Sequence, residues 1–400
     1  MRRLAWWTLV AVALQATFAG VATTSLFFHP IVASAQRVFG GSVGVESVLF
    51  DVRTYESYGR DIWDGLVPYI QIVIEYPIGA LPLFLVPAAA PAGVLPFRLG
   101  FALEMMAFQA ATLAFLVARV SVREGERQAR SRLVWSTALL AALGPLPIAR
   151  YDLAPAFLAF AATCVWSQRG PLAGLLAGLG TMVKLFPGVV VVPLAVREGL
   201  GSWRALLSCV VTVIGMLALW HITGDIPTAL RYHTERGLEI ESVAASGLML
   251  IGKIAGWKMD RTFDHSSEVL HAPAAETLAL IGPWAQITLV GLAAARARRG
   301  DVFRSAGAAI LGFVLGGKVF SPQYLLWVLP FVLAVAGRTG SWSRRLTLLA
   351  CGLTFLVYPW SFIGLTLFHP LALALLAARN LTLIALYLTL LYGPEDEARP

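Results

Sequence analysis

The residues able to do chemistry fall in short polar runs set among long apolar ones. The first is Phe50-Asp51-Val52-Arg53-Thr54-Tyr55, which opens a polar block that runs to Glu75-Tyr76-Pro77 after the first hydrophobic stretch. Asp51 and Tyr55 are four apart, so on a helix they share a face, with Tyr58 one turn further on. A carboxylate just beyond a membrane crossing suits a general base that works on a lipid-borne substrate. The plainer reading of the block is a solvated amphipathic helix.

Arg150-Tyr151-Asp152 is the second run, and its two charges either pair across a turn or face a ligand. Lys184, in Lys184-Leu185-Phe186-Pro187, interrupts an apolar stretch from Leu172 to Val196. That stretch is too short for two full crossings, so Lys184 is expected to cap a pair of short helices inside the membrane. A lysine there is costly and marks a functional site by default, with a phosphate or carboxylate as partner; snorkelling from a helix end is the alternative. Arg231-Tyr232-His233-Thr234-Glu235-Arg236 is followed by Glu239, Glu241 and Ser242. His233 and Arg236 suit charge-assisted hydrogen bonds to an anionic head group. Lys318 precedes Ser321-Pro322-Gln323-Tyr324, and Arg379 lies in the last apolar stretch. His221, His233, His265 and His271 lack helical two-histidine spacing, so no metal ligand is assigned.

These residues must be held by membrane helices. Hydrophobic residues make up 58% of the 400, charged ones only 14%, and mean hydropathy is +0.73, too apolar for a soluble domain. The chain reads as all-α and polytopic, a single domain over 1–400. The first span, about 4–28, is joined by apolar stretches near 98–119, 133–149, 153–167, 172–183, 185–196, 205–222, 274–295, 305–319, 323–337, 346–362 and 374–392, about 12 in all. Arginines cluster at Arg2 and Arg3, from Arg119 to Arg132, from Arg296 to Arg304 and from Arg338 to Arg345, which places those loops in the cytoplasm. The stretch from Tyr76 to Pro96 is also apolar, but Pro77, Pro82, Pro87, Pro91 and Pro96 interrupt it. A helix so broken cannot satisfy its backbone in lipid alone, so it is read as a re-entrant element within a first outside loop over 30–97. A second outside loop covers 223–273.

The +8 net charge is thus an orientation signal, and no basic stripe with interleaved aromatics points to nucleic acid. No nucleotide-binding glycine motif is present. Cys164, Cys209 and Cys351 all lie in apolar segments, which offers no disulfide framework. Arginine far outnumbers lysine, and Asn380 is the single asparagine, a usage that suggests a GC-rich bacterial genome and hence a bacterial plasma membrane.

Taken together, Asp51-x3-Tyr55, Gly65-x2-Pro68-Tyr69, Glu75-Tyr76-Pro77, Arg150-Tyr151-Asp152, Lys184-x2-Pro187, Tyr232-His233-x2-Arg236 and Ser321-Pro322-Gln323-Tyr324 resemble glycosyltransferase family 87. The resemblance covers about residues 45 to 330; the family often has Tyr-Pro-Pro where this chain has Tyr76-Pro77-Ile78. It implies a GT-C-type fold whose first extracytoplasmic loop carries the catalytic acid, and a polyprenyl-phosphate-mannose-dependent α-mannosyltransferase. Asp51 is then the base. Lys184, His233 and Arg236, with Arg379 and Lys318, are expected on the donor phosphate and sugar. Tyr55, Glu75, Tyr76, Arg150, Asp152, Gln323 and Tyr324 are expected as acceptor or structural support. The implied partners are a polyprenyl-phosphate sugar, a lipid or glycan acceptor and membrane lipids. No cofactor is expected, and a metal is compatible with the chemistry but not required by it. The competing readings are a transporter or lipid-sugar flippase, for which polar residues in broken helices are equally expected, and, within the enzyme class, an arabinofuranosyltransferase.

Overall fold

Helices too short to cross a bilayer make up the centre of the protein, and longer apolar helices lie around them. The computed structural model describes residues 2–23, 34, 36–39, 48–90, 96–223, 226, 234–298 and 300–394. From the N-terminus, α1 (Arg2–Val21) is followed by α2 (Phe50–Trp63), a 3-10 turn (Ile78–Ala80) and the short α3 (Leu81–Ala88). α4 (Phe97–Glu124) and α5 (Glu126–Ala142) pack as a hairpin, and α6 (Leu146–Ala149) leads through Arg150, Tyr151 and Asp152 into α7 (Leu153–Val165). α8 (Gly170–Val183) turns at Lys184 into a 3-10 stretch (Phe186–Val190), α9 (Val191–Glu198) and α10 (Trp203–Thr223). α11 (Val243–Ala255) and an antiparallel hairpin of β1 (Asp260–Asp264) and β2 (Ser267–His271) precede α12 (Ala275–Ala297). α13 (Val302–Gly316), a 3-10 turn (Pro322–Tyr324) and α14 (Leu325–Ala334) lead to α15 (Gly337–Phe355), α16 (Phe362–Thr366) and α17 (Pro370–Tyr392).

The expected all-α membrane architecture is present, with one small β-hairpin added between α11 and α12. Five stretches are long and apolar enough to cross a membrane by length and composition: Leu4–Val21, Phe97–Glu124, Phe186–Ile222, Ala275–Ala297 and Pro370–Tyr392. Several of the other expected spans are shorter. α7, α8 and α13 have 13, 14 and 15 residues and α14 has 10, so each reaches about 15–23 Å against about 30 Å of hydrocarbon. All of α14 is buried. Conversely, Val210, Val211, Ile214 and Ile222 of α10, with Leu280, Trp284 and Ile287 of α12, are exposed. In water such a surface would aggregate, whereas lipid tails solvate it.

Close packing of α8 on α10 comes from Gly174 and Gly178, four apart on one face. A Cβ at Gly174 would collide with the Ala205 carbonyl, and one at Gly178 would meet the Thr212 side chain at 2.7 Å. Without lipid-driven burial between helices, this small-residue contact is what lets the backbones approach. The proline-rich stretch after Tyr76 forms the 3-10 turn and α3, with Pro87 inside the helix. Gly79 in that turn lies against the Met182 carbonyl, too close for a side chain, which seats the broken segment beside the end of α8 and Lys184.

At the opposite helix ends, Arg119, Arg123, Arg197 and Arg304 line a cleft of about 1500 Å³. Arg197 donates to the carbonyls of Ala297 and Gly300 at the end of α12, and Arg304 donates to those of Thr389, Leu390, Gly393 and Pro394 at the end of α17. These arginines therefore cap helix C-termini and satisfy the negative end of the helix dipole.

Candidate active site at the helix turns

Three turns meet at one end of the bundle: Arg150 to Asp152, Lys184 to Leu185, and Gly317 to Ser321. Each lies between short helices, and α2 packs beside them. In α2, Asp51 falls in the first turn, where a carboxylate suits the positive end of the helix. Its Oδ2 lies 2.9 Å from Arg150 Nε, and the Asp51 side chain is 28% exposed against 8% for Arg150. The Arg150 Nη1 also donates to the carbonyls of Val48 and Ala149, both at 2.9 Å. The guanidinium thus ties the start of α2 to the α6–α7 turn. Asp51 Oδ1 has no partner among the described residues, which leaves one oxygen of the carboxylate unengaged.

Tyr55, on the same face of α2, is buried in an aromatic cluster. Its ring stacks on Phe84 with centroids 4.7 Å apart and meets Tyr76 and Tyr151 edge-on at 5.7 and 5.6 Å. Burial, reinforced by the Asp51 charge, pushes the Tyr55 hydroxyl well above its ordinary value, and burial does the same for Tyr76. Both stay neutral at working pH and form the floor on which the charged groups sit.

The Arg150-Tyr151-Asp152 run does not pair across its own turn. Arg150 reaches Asp51, and Asp152 turns the other way to Lys184, with Nζ to Oδ1 at 2.7 Å. Two residues of one tripeptide thereby bind two separate elements. Asp152 Oδ1 also accepts from the Trp327 indole N–H at 2.5 Å, while its Oδ2 is buried without a hydrogen-bond partner among the described residues. Lys184 Nζ sits over the rings of Tyr151, Trp327 and Tyr324 at 4.6, 5.4 and 5.6 Å. As expected, Lys184 lies at the turn between two short helical segments. Its ammonium is held by one carboxylate and three aromatic faces.

Around this centre, Arg236 Nη2 lies 3.9 Å from Glu75 Oε2, and its Nε donates to the His265 carbonyl at 2.8 Å. Lys318 Nζ donates to the carbonyls of Thr234 and Arg236 at 2.9 and 2.6 Å, so it fastens the segment before α11 to the α13–α14 turn. Gln323 and Tyr324 are half-buried at that turn. His233 lies outside the described residues.

Arg379 departs from its expected place on the donor. It is fully buried in α17, its Nη1 is 3.0 Å from Glu241 Oε1, its Nη2 meets the Glu241 carbonyl, and its guanidinium lies 4.0 Å over the Phe320 ring. A guanidinium engaged on both edges and one face is an internal counter-ion, and a phosphate could reach it only by displacing Glu241.

Two acidic residues gain roles that sequence reading did not give them. Glu241 is that counter-ion. Glu239 is buried, and its Oε2 accepts from the backbone N–H of Phe320 at 2.6 Å. Burial raises its carboxyl above the ordinary range, opposed by that hydrogen bond and by Arg236. Trp327 was also missed, because a tryptophan in an apolar helix gives no outward sign of what its N–H binds. Among the described residues no group of three His, Cys, Asp or Glu side chains is placed to hold a metal ion.

No curated protein matches the chain. The sequence model of glycosyltransferase family 87 matches residues 74–322. That match spans more than half of the chain, takes in Glu75, Tyr76, Arg150, Asp152, Lys184, Arg236 and Lys318, and begins after Asp51 and ends before Gln323. On that match, together with an all-α membrane architecture whose charged residues gather at three helix turns, the chain belongs to glycosyltransferase family 87.

Proposed function

We propose that this membrane glycosyltransferase moves a sugar, most simply mannose, from a polyprenyl-phosphate donor to a hydroxyl of a lipid or glycan acceptor, on the extracytoplasmic face of a bacterial plasma membrane. Asp51 is the general base. Its free oxygen takes the proton of the acceptor hydroxyl as that oxygen attacks the anomeric carbon. The new carbon–oxygen bond forms as the bond to the phosphate oxygen breaks, and the lipid phosphate leaves with the electron pair. A single in-line displacement inverts the anomeric centre. Lys184 and Arg236 face the charge that grows on the departing phosphate, the interaction most able to lower the barrier.

The observation that carries this reading is the Asp51–Arg150 pair. A partly exposed carboxylate is held on one oxygen by a buried guanidinium, and Asp152, two residues after that arginine, binds the ammonium of Lys184. Such a base is oriented and still accessible. A lipid-borne donor suits a site whose charged turns lie at the ends of apolar helices. The test is product analysis by mass spectrometry with a panel of polyprenyl-phosphate sugars, with anomeric configuration read by NMR. The expected result is an inverted mannoside from the mannosyl donor; transfer of arabinose alone, or retention of configuration, would refute the reading.

A further inference from the structure

We propose that Trp327 positions Lys184 for the transfer reaction, acting through Asp152; this rests on the reading of Lys184 as a contact for the donor phosphate. Trp327 is buried in α14, outside the family match. Its indole N–H is spent on Asp152 Oδ1, the same oxygen that receives Lys184 Nζ. Packing alone does not demand this, since Trp166 is equally buried and its Nε1 has no hydrogen-bond partner among the described residues.

The indole holds the lysine turn in two ways. Its N–H fixes the Asp152 carboxylate, so that Oδ1 faces the ammonium and cannot rotate away. Its ring stacks on Phe186 at 4.1 Å with planes 5° apart, and Phe186 is two residues from Lys184, so the turn that carries the lysine is clamped to α14. The other face of the indole stacks on Tyr324 at 3.9 Å, which completes the aromatic wall around Nζ. One side chain therefore sets the counter-ion, the backbone turn and part of the wall of Lys184. An ammonium on a flexible four-carbon stem would otherwise lose side-chain entropy each time it met a phosphate.

The test uses Trp327→Phe, which keeps a ring in the stack and removes the N–H. With four lysines in the chain, protein labelled with 13C at lysine Cε gives signals assignable by single Lys→Arg replacements. Trp327→Phe should lower the order parameter of Lys184 and leave Lys253, Lys258 and Lys318 unchanged. In kinetics it should lower kcat about tenfold, with KM for the polyprenyl-phosphate donor changed less than about threefold, as expected when a contact to charge that develops in the transition state is weakened. In a Lys184→Gln background it should have no further effect. If Trp327→Phe does not fold, Asp152→Asn breaks the same link and should loosen Lys184 likewise. An unchanged Lys184 order parameter, or effects of Trp327→Phe and Lys184→Gln that simply add, overturns the proposal. The NMR arm needs no substrate, so an error in the donor reading would appear separately, as wild-type protein that does not transfer while Lys184 still responds.

Discussion

At the residue scale the site depends on buried charges that each have one specific partner. Arg150 gives one guanidinium to Asp51, Val48 and Ala149, a fork that a lysine cannot reproduce. Arg150→Lys should therefore reduce kcat by about 10- to 100-fold through a misoriented base, while a loss of about 1–3 kcal/mol in unfolding free energy reflects the unsatisfied carbonyls. Steady-state kinetics beside denaturant unfolding would separate the two effects. Asp51 and Lys184 were legible in the sequence because Lys184 interrupts an apolar stretch and Asp51 opens the polar block that follows the first one. Their partners were not. Arg150 and Asp152 are close enough to pair with each other, and the choice of distant partners is made by how the helices pack. Arg379 misled for the same reason: a cation in an apolar stretch looks available until Glu241 is folded against it.

At the element scale, the site exists because short helices end in the interior and longer ones cover them. Gly178→Leu should force α8 and α10 apart and lower unfolding stability by about 1–3 kcal/mol, read as a lower midpoint in detergent. The proline-broken segment and the Lys184 turn were foreseeable, since proline and an interrupting lysine are explicit in the sequence. The β-hairpin was not foreseen. Its tight turn uses His265 and Ser266 at φ +48° and +55°, in place of the Asn-Gly or Asp-Gly that usually announces such a turn. Glu239, which ties the segment before α11 to the turn before α14, gives a pH prediction. Burial raises its carboxyl, so the folded state holds the proton more tightly than the unfolded one. Its contribution to stability is complete below about pH 4 and is lost as pH rises towards the raised folded value. Thermal midpoints measured across that interval should show a decline that Glu239→Gln removes; an identical profile in the variant would refute this.

At the scale of the whole molecule, composition alone decided between soluble and membrane protein, and the arginine clusters predicted its orientation. Arg197 and Arg304 also have a structural use at helix ends, so orientation and stability draw on the same residues. Lys258 and Arg298 are both exposed and lie in loops assigned to opposite faces. With membrane-impermeant maleimide on intact cells, Lys258→Cys should react, whereas Arg298→Cys should react only after permeabilisation. The reverse pattern would place the site on the cytoplasmic side. What composition could not reveal is that α7, α8, α13 and α14 are too short for a full crossing, so that charged turns fall at their ends.

In the proposed reaction Asp51 activates the acceptor and does not bind the donor. Single-turnover transfer by Asp51→Asn, from a polyprenyl-phosphate sugar already bound, measures this directly. The rate should fall by about 10²- to 10⁴-fold with donor affinity and folding unchanged; turnover near the wild-type rate in a folded, donor-loaded variant would contradict that role for Asp51.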